Sequence, residues 1–273
     1  MNNTQEVTVT EEETSEEKII KPITRKTLLE SGAHYGHKPS IWNPKMAPYI
    51  YGQKDSTYII DLDNTLQLWR QAQQAVFDHV STGGTILFVG RRRKAVPLIV
   101  EEALRAGAFY MAGKWPGGTL TNFDTIQNSI KKMVQLEKFI NEVEAGNKKL
   151  SKAELMETKL EVAKLQKKFN GIREMRATPG MLFVTHSTID RIAIEEARAL
   201  QIPVIGIADT DTDPDPLDYV IPANDDSANC LQLFISNMAQ TVLEARTEYE
   251  SQVAKQVEEN EQAAKEFIVS ELE

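Results

Sequence analysis

Short, uninterrupted apolar runs alternate with stretches of helical periodicity along most of this chain, and few folds satisfy that rhythm. The runs fall at Tyr58–Leu62, Thr85–Val89, Ala108–Met111, Met181–Thr185, Pro203–Ala208 and Tyr219–Ile221. They lack the polar alternation of a strand with one wet face, so both faces must be covered. Between them, Thr65–Val80 places Leu66, Trp69, Ala72, Val76 and Val80 near one stripe. Ala95–Arg105, Ile189–Leu200 and the stretch from Ser227 to about Arg246 read as helices in the same way. Strands buried on both sides and separated by helices predict an α/β fold with a doubly wound parallel sheet.

One segment breaks the rhythm. Thr125–Val143 and Ser151–Ile172 form two long charged helical patterns joined by the polar turn Ala145–Leu150. The first keeps Ile126, Ile130, Met133, Phe139 and Val143 near a narrow stripe, and the second does so with Leu155, Val162, Leu165, Phe169 and Ile172. Ser151 and Glu154 have the spacing of a capping box. Narrow stripes on paired helices predict an inserted antiparallel coiled-coil helical hairpin over residues 125–177. It divides an α/β domain of residues 24–124 and 178–247. Between Thr24 and Tyr51 a short helix near Lys26–Ser31 is expected to lead into an ordered loop rich in Gly, Pro, His and aromatics.

The net charge of −9 at first argues against a nucleic-acid partner, but its distribution does not. Residues 1–23 hold six Glu against two Lys, and residues 248–273 hold eight Glu against two Lys. The body is left close to neutral and free to carry basic stripes. The first segment reads as a disordered acidic extension, the second as an acidic extension, helical or disordered. A single cysteine, Cys230, leaves no disulfide framework and no Cys-based zinc site. No run approaches the roughly 18 apolar residues of a membrane span, and no signal or transit pattern opens the chain, so a soluble intracellular protein without a membrane partner is expected.

The candidate functional residues sit at the ends of the apolar runs, where open sheets bind their ligands. Arg91, Arg92, Arg93 and Lys94 follow one run directly. Four adjacent cations repel one another unless anions neutralise them, and arginine matches phosphate oxygens bidentately. Lys38, Trp42, Asn43 and Lys45, and then Lys114, Trp115, Thr119, Thr121 and Asn122, interleave cations, aromatics and small polar groups. That mixture suits contact with an RNA backbone, although either tryptophan also fits a core anchor. His34 and His37, three residues apart, suggest two imidazoles on one side of a turn, able to hold zinc or magnesium with Asp209 or Asp211. Asp61-Leu62-Asp63-Asn64-Thr65 and Asp209-Thr210-Asp211-Thr212 match the D-x-D pattern of aspartyl phosphotransferases. A magnesium-dependent phosphohydrolase is therefore the rival reading, with Asp225 and Asp226 as its downstream acids; helix capping by Asp61 is the simpler account of the first motif. No phosphate-cradling glycine loop occurs.

Taken in order, these motifs resemble a known family. Ser31-Gly32-Ala33-His34-Tyr35-Gly36-His37 and Trp42-Asn43-Pro44-Lys45-Met46 resemble the opening signature of bacterial ribosomal protein S-two. Trp115-Pro116-Gly117-Gly118-Thr119-Leu120-Thr121-Asn122, Ile192 to Ala197, Ile202 to Ile207, Asp209-Thr210, Asp213-Pro214-Asp215 and Asn224-Asp225-Asp226 continue it collinearly over about residues 25–245. The resemblance implies a flavodoxin-like domain with an inserted coiled coil and a non-enzymatic structural role in the small subunit of a bacterial-type ribosome in the cytoplasm. It implies contact with small-subunit rRNA of head and body on the solvent side, with neighbouring small-subunit proteins, and with ribosomal protein S-one where one exists. It implies no required cofactor; a divalent ion, zinc or magnesium, would sit near His37, His186 and Asp209. The chain departs from the family pattern at Thr185-His186-Ser187, Asp211, Ala223 and Pro116.

Overall fold

The computed structural model describes residues 20–271, with side chains through residue 260. The acidic extension expected over residues 1–23 falls, up to residue 19, outside the described residues, as do residues 272 and 273.

Parallel pairing builds the centre of the molecule. Strands β3 (Ile86–Gly90), β4 (Phe109–Ala112), β5 (Met181–Val184), β6 (Val204–Ala208) and β7 (Tyr219–Pro222) form one five-stranded parallel sheet in the order β4-β3-β5-β6-β7. Counted within the sheet alone, that order is 2-1-3-4-5, the flavodoxin-like doubly wound arrangement. Alternate residues of each strand supply opposite cores. Phe88, Phe183, Ile205 and Ile207 face helices α2 (Leu62–Val80), α3 (Ala95–Ala106) and α7 (Ala228–Glu271). Leu87, Val89, Leu182, Val184 and Val204 face α6 (Arg191–Ala199) and the loop carrying Trp115 and Leu120. Uninterrupted apolar strands are the direct result, because neither face meets water.

Two expectations from the sequence are corrected here. The run at Tyr58–Leu62 does not join the parallel sheet. As β2 (Thr57–Ile60) it pairs antiparallel with β1 (Ile50–Lys54), which begins at the end of the segment expected to be loop. Asp55 and Ser56, at φ 47 and 63, make the tight turn, their left-handed backbone conformation being the one that suits the right-handed twist of the two strands. Residues 34–37 then lie along the free edge of β2: Gly36 N–H donates to Tyr58 O and Tyr58 N–H to His37 O. The segment is extended rather than a helical turn, so His34 and His37 do not share a side. Helix α1 (Arg25–Ser31) precedes it, capped by Thr24.

Helices α4 (Phe123–Glu144) and α5 (Lys152–Phe169) occupy the segment between β4 and β5. Ser151 and Glu154 make the reciprocal capping box. Glu144 pairs with Lys159, and Gln166 donates to Glu137, so the helices run back along each other. Ile126, Ile130, Met133 and Phe169 enter the core beneath α6, while Met156 and Leu160 further out on α5 are exposed. Helix α7 continues well past the expected end near Arg246. It begins beneath the sheet with Leu231, Phe234 and Met238 fully buried, and carries the acidic stretch from residue 248 as helix.

Candidate nucleic-acid interface

Every loop that follows a parallel strand leaves from the same edge of the sheet, so the topology gathers residues far apart in sequence. Residues 91–94 follow β3, 113–122 follow β4, 185–190 follow β5, 209–218 follow β6 and 223–227 follow β7. The segment 37–45 is pinned onto that edge. His37 N–H donates to Thr210 Oγ1 at 2.7 Å, Asn43 N–H to Thr210 O at 2.7 Å, and Lys45 Nζ reaches Asp213 at 2.9 Å. Gly36 is needed for this approach, because a Cβ there would stand 2.5 Å from Thr210 Cγ2. The three segments proposed from sequence therefore share one face.

Within that face the cations divide by burial. Arg91 Nε donates to buried Asp190 at 2.7 Å, and Arg92 bridges Asp225 and Asp226. Lys94 Nζ donates to the carbonyl of Asp226. Lys38, Arg93, Lys94 and Lys114 present their side chains to solvent. Lys45 is also exposed, but Asp213 and Asp215 hold it and raise its pKa. The basic turn is thus half anchor and half open charge. The repulsion expected among its cations is relieved in part by the protein's own carboxylates.

The aromatic and hydroxyl residues divide as well. Trp42 rests half-buried against Tyr58, ring centroids 4.9 Å apart. Asn43 caps a short 3-10 helix at Pro44–Tyr49 by accepting from Lys45 N–H. Trp115 is buried, as the core-anchor alternative held, and Thr119 is buried too; Thr121 and Asn122 are exposed. Sequence reasoning missed the residue that shapes this loop. Glu196 on α6 accepts from the indole N–H of Trp115 at 3.0 Å and from the backbone N–H groups of Gly118, Leu120 and Thr121. Burial pushes its carboxyl up, but the hydrogen bonds from Leu120, Trp115, Gly118 and Thr121 outweigh that, and it titrates below its ordinary value. A glutamate six residues into an amphipathic helix pattern carries no local signal of such a role.

Behind the basic turn lies a cluster of histidines and carboxylates. His37 Nδ1 is 3.0 Å from Asp209 Oδ1 and 3.9 Å from Asp211 Oδ1. One ligand atom from each of these three residues lies within 4.8 Å of the others. His37 Nδ1 and Asp209 Oδ2 are buried without a well-aligned hydrogen-bond partner. The contact with Asp209 raises the His37 pKa to about 9, helped by the charges of Asp211 and Asp225 against the opposing effect of burial. His186 lies on the other side, 3.3 Å from Asp225 Oδ2, and its pKa is lowered to about 4 by burial and by Arg92. Asp225 is raised to about 8 by burial and by the charges of Asp209 and Asp211. His34 joins neither group, since its ring lies against Tyr35. Of the D-x-D motifs, the first is a cap: Asp61 accepts from the N–H groups of Asp63 and Asn64 at the start of α2.

Comparison with known proteins falls on this same framework. The sequence model of one family, described as Ribosomal protein S2, matches residues 28–245. The small ribosomal subunit protein uS2 of Maridesulfovibrio salexigens is 40% identical over 243 residues, covering 89% of this chain and 93% of that relative.

Proposed function

The chain belongs to the ribosomal protein S2 family, a family of structural, non-enzymatic proteins, and from that premise we propose that it holds rRNA of the small subunit against the C-terminal edge of its sheet. One observation carries the reading: the segments 38–45, 91–94 and 114–122 meet on one face, with Lys38, Arg93, Lys94 and Lys114 open to solvent. Exposed cations on short, braced loops suit recognition of a folded backbone by shape. Arg91, Arg92, Trp115 and Thr119 act as braces that fix those loops, and Trp42, Asn43, Lys45, Thr121 and Asn122 flank the contact. As a component of the small subunit the protein has rRNA and other ribosomal proteins as its partners.

The finer parts of the proposal follow the resemblance. The face spans rRNA of head and body on the solvent side of a bacterial-type cytoplasmic ribosome, and the chain supports docking of ribosomal protein S-one where one exists. The α4–α5 hairpin is a coiled coil inserted into the α/β domain. No cofactor is required for folding. A zinc or magnesium ion fits the donor set of His37, Asp209 and Asp211, one imidazole and two carboxylates. His186, turned toward Asp225, stands outside that set. Such an ion would fasten the 34–45 segment to the end of β6 and has no chemical step to perform.

A sucrose gradient of native lysate, probed for this chain at low and high salt, tests the reading. Sedimentation with small subunits, lost as salt rises, is the expected result. A chain found only in the soluble fractions at low salt sinks it.

A further inference from the structure

The β1–β2 hairpin contains an irregularity with an outward-facing product. Ile50 faces Ile60 and Gly52 faces Ile59, so Tyr51 is an extra residue with no partner across the pair. A bulge re-aims the side chain it carries, and Tyr51 is left 82% exposed. Tyr35, 53% exposed, stands on the segment that bridges to Ile59, its ring 4.0 Å from that of His34. The two tyrosines, with His34, Gln53 and Lys54, line one cleft of about 400 Å³. Gly52 forms part of the wall. Its φ is not in the left-handed region, and a Cβ there would meet no atom within 4 Å. Neither backbone conformation nor packing calls for glycine at this position, and its bareness keeps the wall open to a close-lying flat group.

Exposed aromatic faces beside an amide, an imidazole and an ammonium are the composition of a single-stranded nucleic-acid platform, where rings stack and polar tips reach the base edge or phosphate. Burial and the charge of Lys54 hold the His34 pKa below its ordinary value, which favours the neutral ring, and with Nδ1 buried that ring has only Nε2 to offer a ligand. Asp55 at the rim disfavours seating a bare phosphate. The strand that lines the cleft through Thr57 and Ile59 is tied to the face described above, because Tyr58 between them is packed by Trp42 and hydrogen-bonded to His37. We propose that it receives one unpaired nucleobase of the rRNA, stacked on Tyr35 and Tyr51. The inference rests on the RNA-facing reading and adds a base contact to a surface that otherwise follows the backbone.

Two measurements on the full-length chain test it. Native small subunits are irradiated with ultraviolet light, and nucleotide adducts are mapped to residues. In parallel, the affinity of the chain for small subunits depleted of it is compared between wild type, Tyr35→Ala/Tyr51→Ala and Tyr35→Phe/Tyr51→Phe. An adduct on Tyr35 or Tyr51 is expected, with a roughly 5- to 150-fold loss of affinity in the alanine pair, corresponding to one stacked base. The salt dependence should be unchanged, and the phenylalanine pair, which keeps both rings, should bind as wild type. An alanine pair that binds normally, or a phenylalanine pair as weak as the alanine pair, overturns the proposal. Adducts along residues 38–45 or 114–122 with none at the tyrosines overturn the cleft and leave the RNA-facing reading standing. Adducts missing from all of these sink both, and a tyrosine cross-linked to a neighbouring protein replaces the base with a protein occupant.

Discussion

Replacing Glu196 by alanine should destabilise this protein more than any single change to the exposed cations. The carboxylate accepts from four N–H groups of the 115–121 loop. Two of them, the Trp115 indole and the Leu120 amide, belong to residues that are 7% and 2% exposed and cannot turn to water. Leaving a buried donor unsatisfied costs about 1–3 kcal/mol each, so the two together cost about 2–6 kcal/mol. The Gly118 and Thr121 amides can rehydrate and add little. Glu196→Gln keeps one carbonyl acceptor and should lose about half as much. In a chain of this length, at about 2 °C per kcal/mol, a change of that size lowers Tm by roughly 4–12 °C. Urea unfolding gives the free energies, and amide hydrogen exchange locates them: Gly118, Leu120 and Thr121 should lose protection in Glu196→Gln while β5 and β6 keep theirs. A loss below about 1 kcal/mol for Glu196→Ala, or unchanged exchange in the loop, would refute the claim that one α6 carboxylate shapes it.

Four further outcomes follow from the same face. Arg93→Ala/Lys94→Ala should leave folding intact and flatten the dependence of log K on log salt for subunit binding by about 1.5, at roughly 0.7–0.9 for each phosphate that is no longer neutralised; an unchanged slope removes the turn from the interface. Arg91→Ala should instead act on stability, since it strips buried Asp190 of its guanidinium, at a cost somewhat below the roughly 3–5 kcal/mol of a fully buried pair because Arg91 is partly exposed. In chelator, stability should fall as pH rises from about 6.5 to about 9. His37, raised from 6.5 to about 9, contributes stability that is complete below its unfolded value and lost through its folded one. Asp225, raised to about 8, drives the fall in the same direction, whereas His186, lowered to about 4, makes stability rise with pH between about 4 and 6.5. His37→Gln should remove about 1–2 kcal/mol of the fall after allowance for solvent screening, and a fall unchanged in that variant contradicts the assignment. Zinc titrated into metal-free protein at pH 7.5 should raise Tm for wild type and not for Asp209→Asn; equal shifts in both place the ion elsewhere.

The parallel sheet was legible because its strands are buried on both faces, which writes itself as continuous apolar runs such as Leu87–Val89 and Val204–Ala208. The paired helices were legible from their narrow stripes and the Ser151–Glu154 box. The β1–β2 hairpin was not, because Ile50–Lys54 is only partly buried and contains Gly52, so it shows neither clean alternation nor a strand-like composition. Its turn was the available signal, and Asp-Ser is a weaker mark of left-handed backbone than Asn-Gly. For the candidate site, local chemistry identified which residues could bind but not what would hold them. Arg91 and Asp190, or Trp115 and Glu196, meet only through the order of strands, and pairs 99 and 81 residues apart leave no periodic trace. The same limit separated His34 from His37: a spacing of three means one side of a helix, but opposite surroundings on an extended segment along a strand.

The central claim is that the C-terminal edge of the sheet faces rRNA, and tethered hydroxyl-radical probing tests it most directly. Cys230 is fully buried, so a new cysteine at Arg93→Cys or Lys114→Cys can carry the iron chelate selectively. In assembled small subunits, both positions should cut small-subunit rRNA at discrete sites, and the two sets of cuts should lie close together in the folded RNA. Subunits that contain the labelled protein in full amount yet show no cleavage from either position would contradict the account.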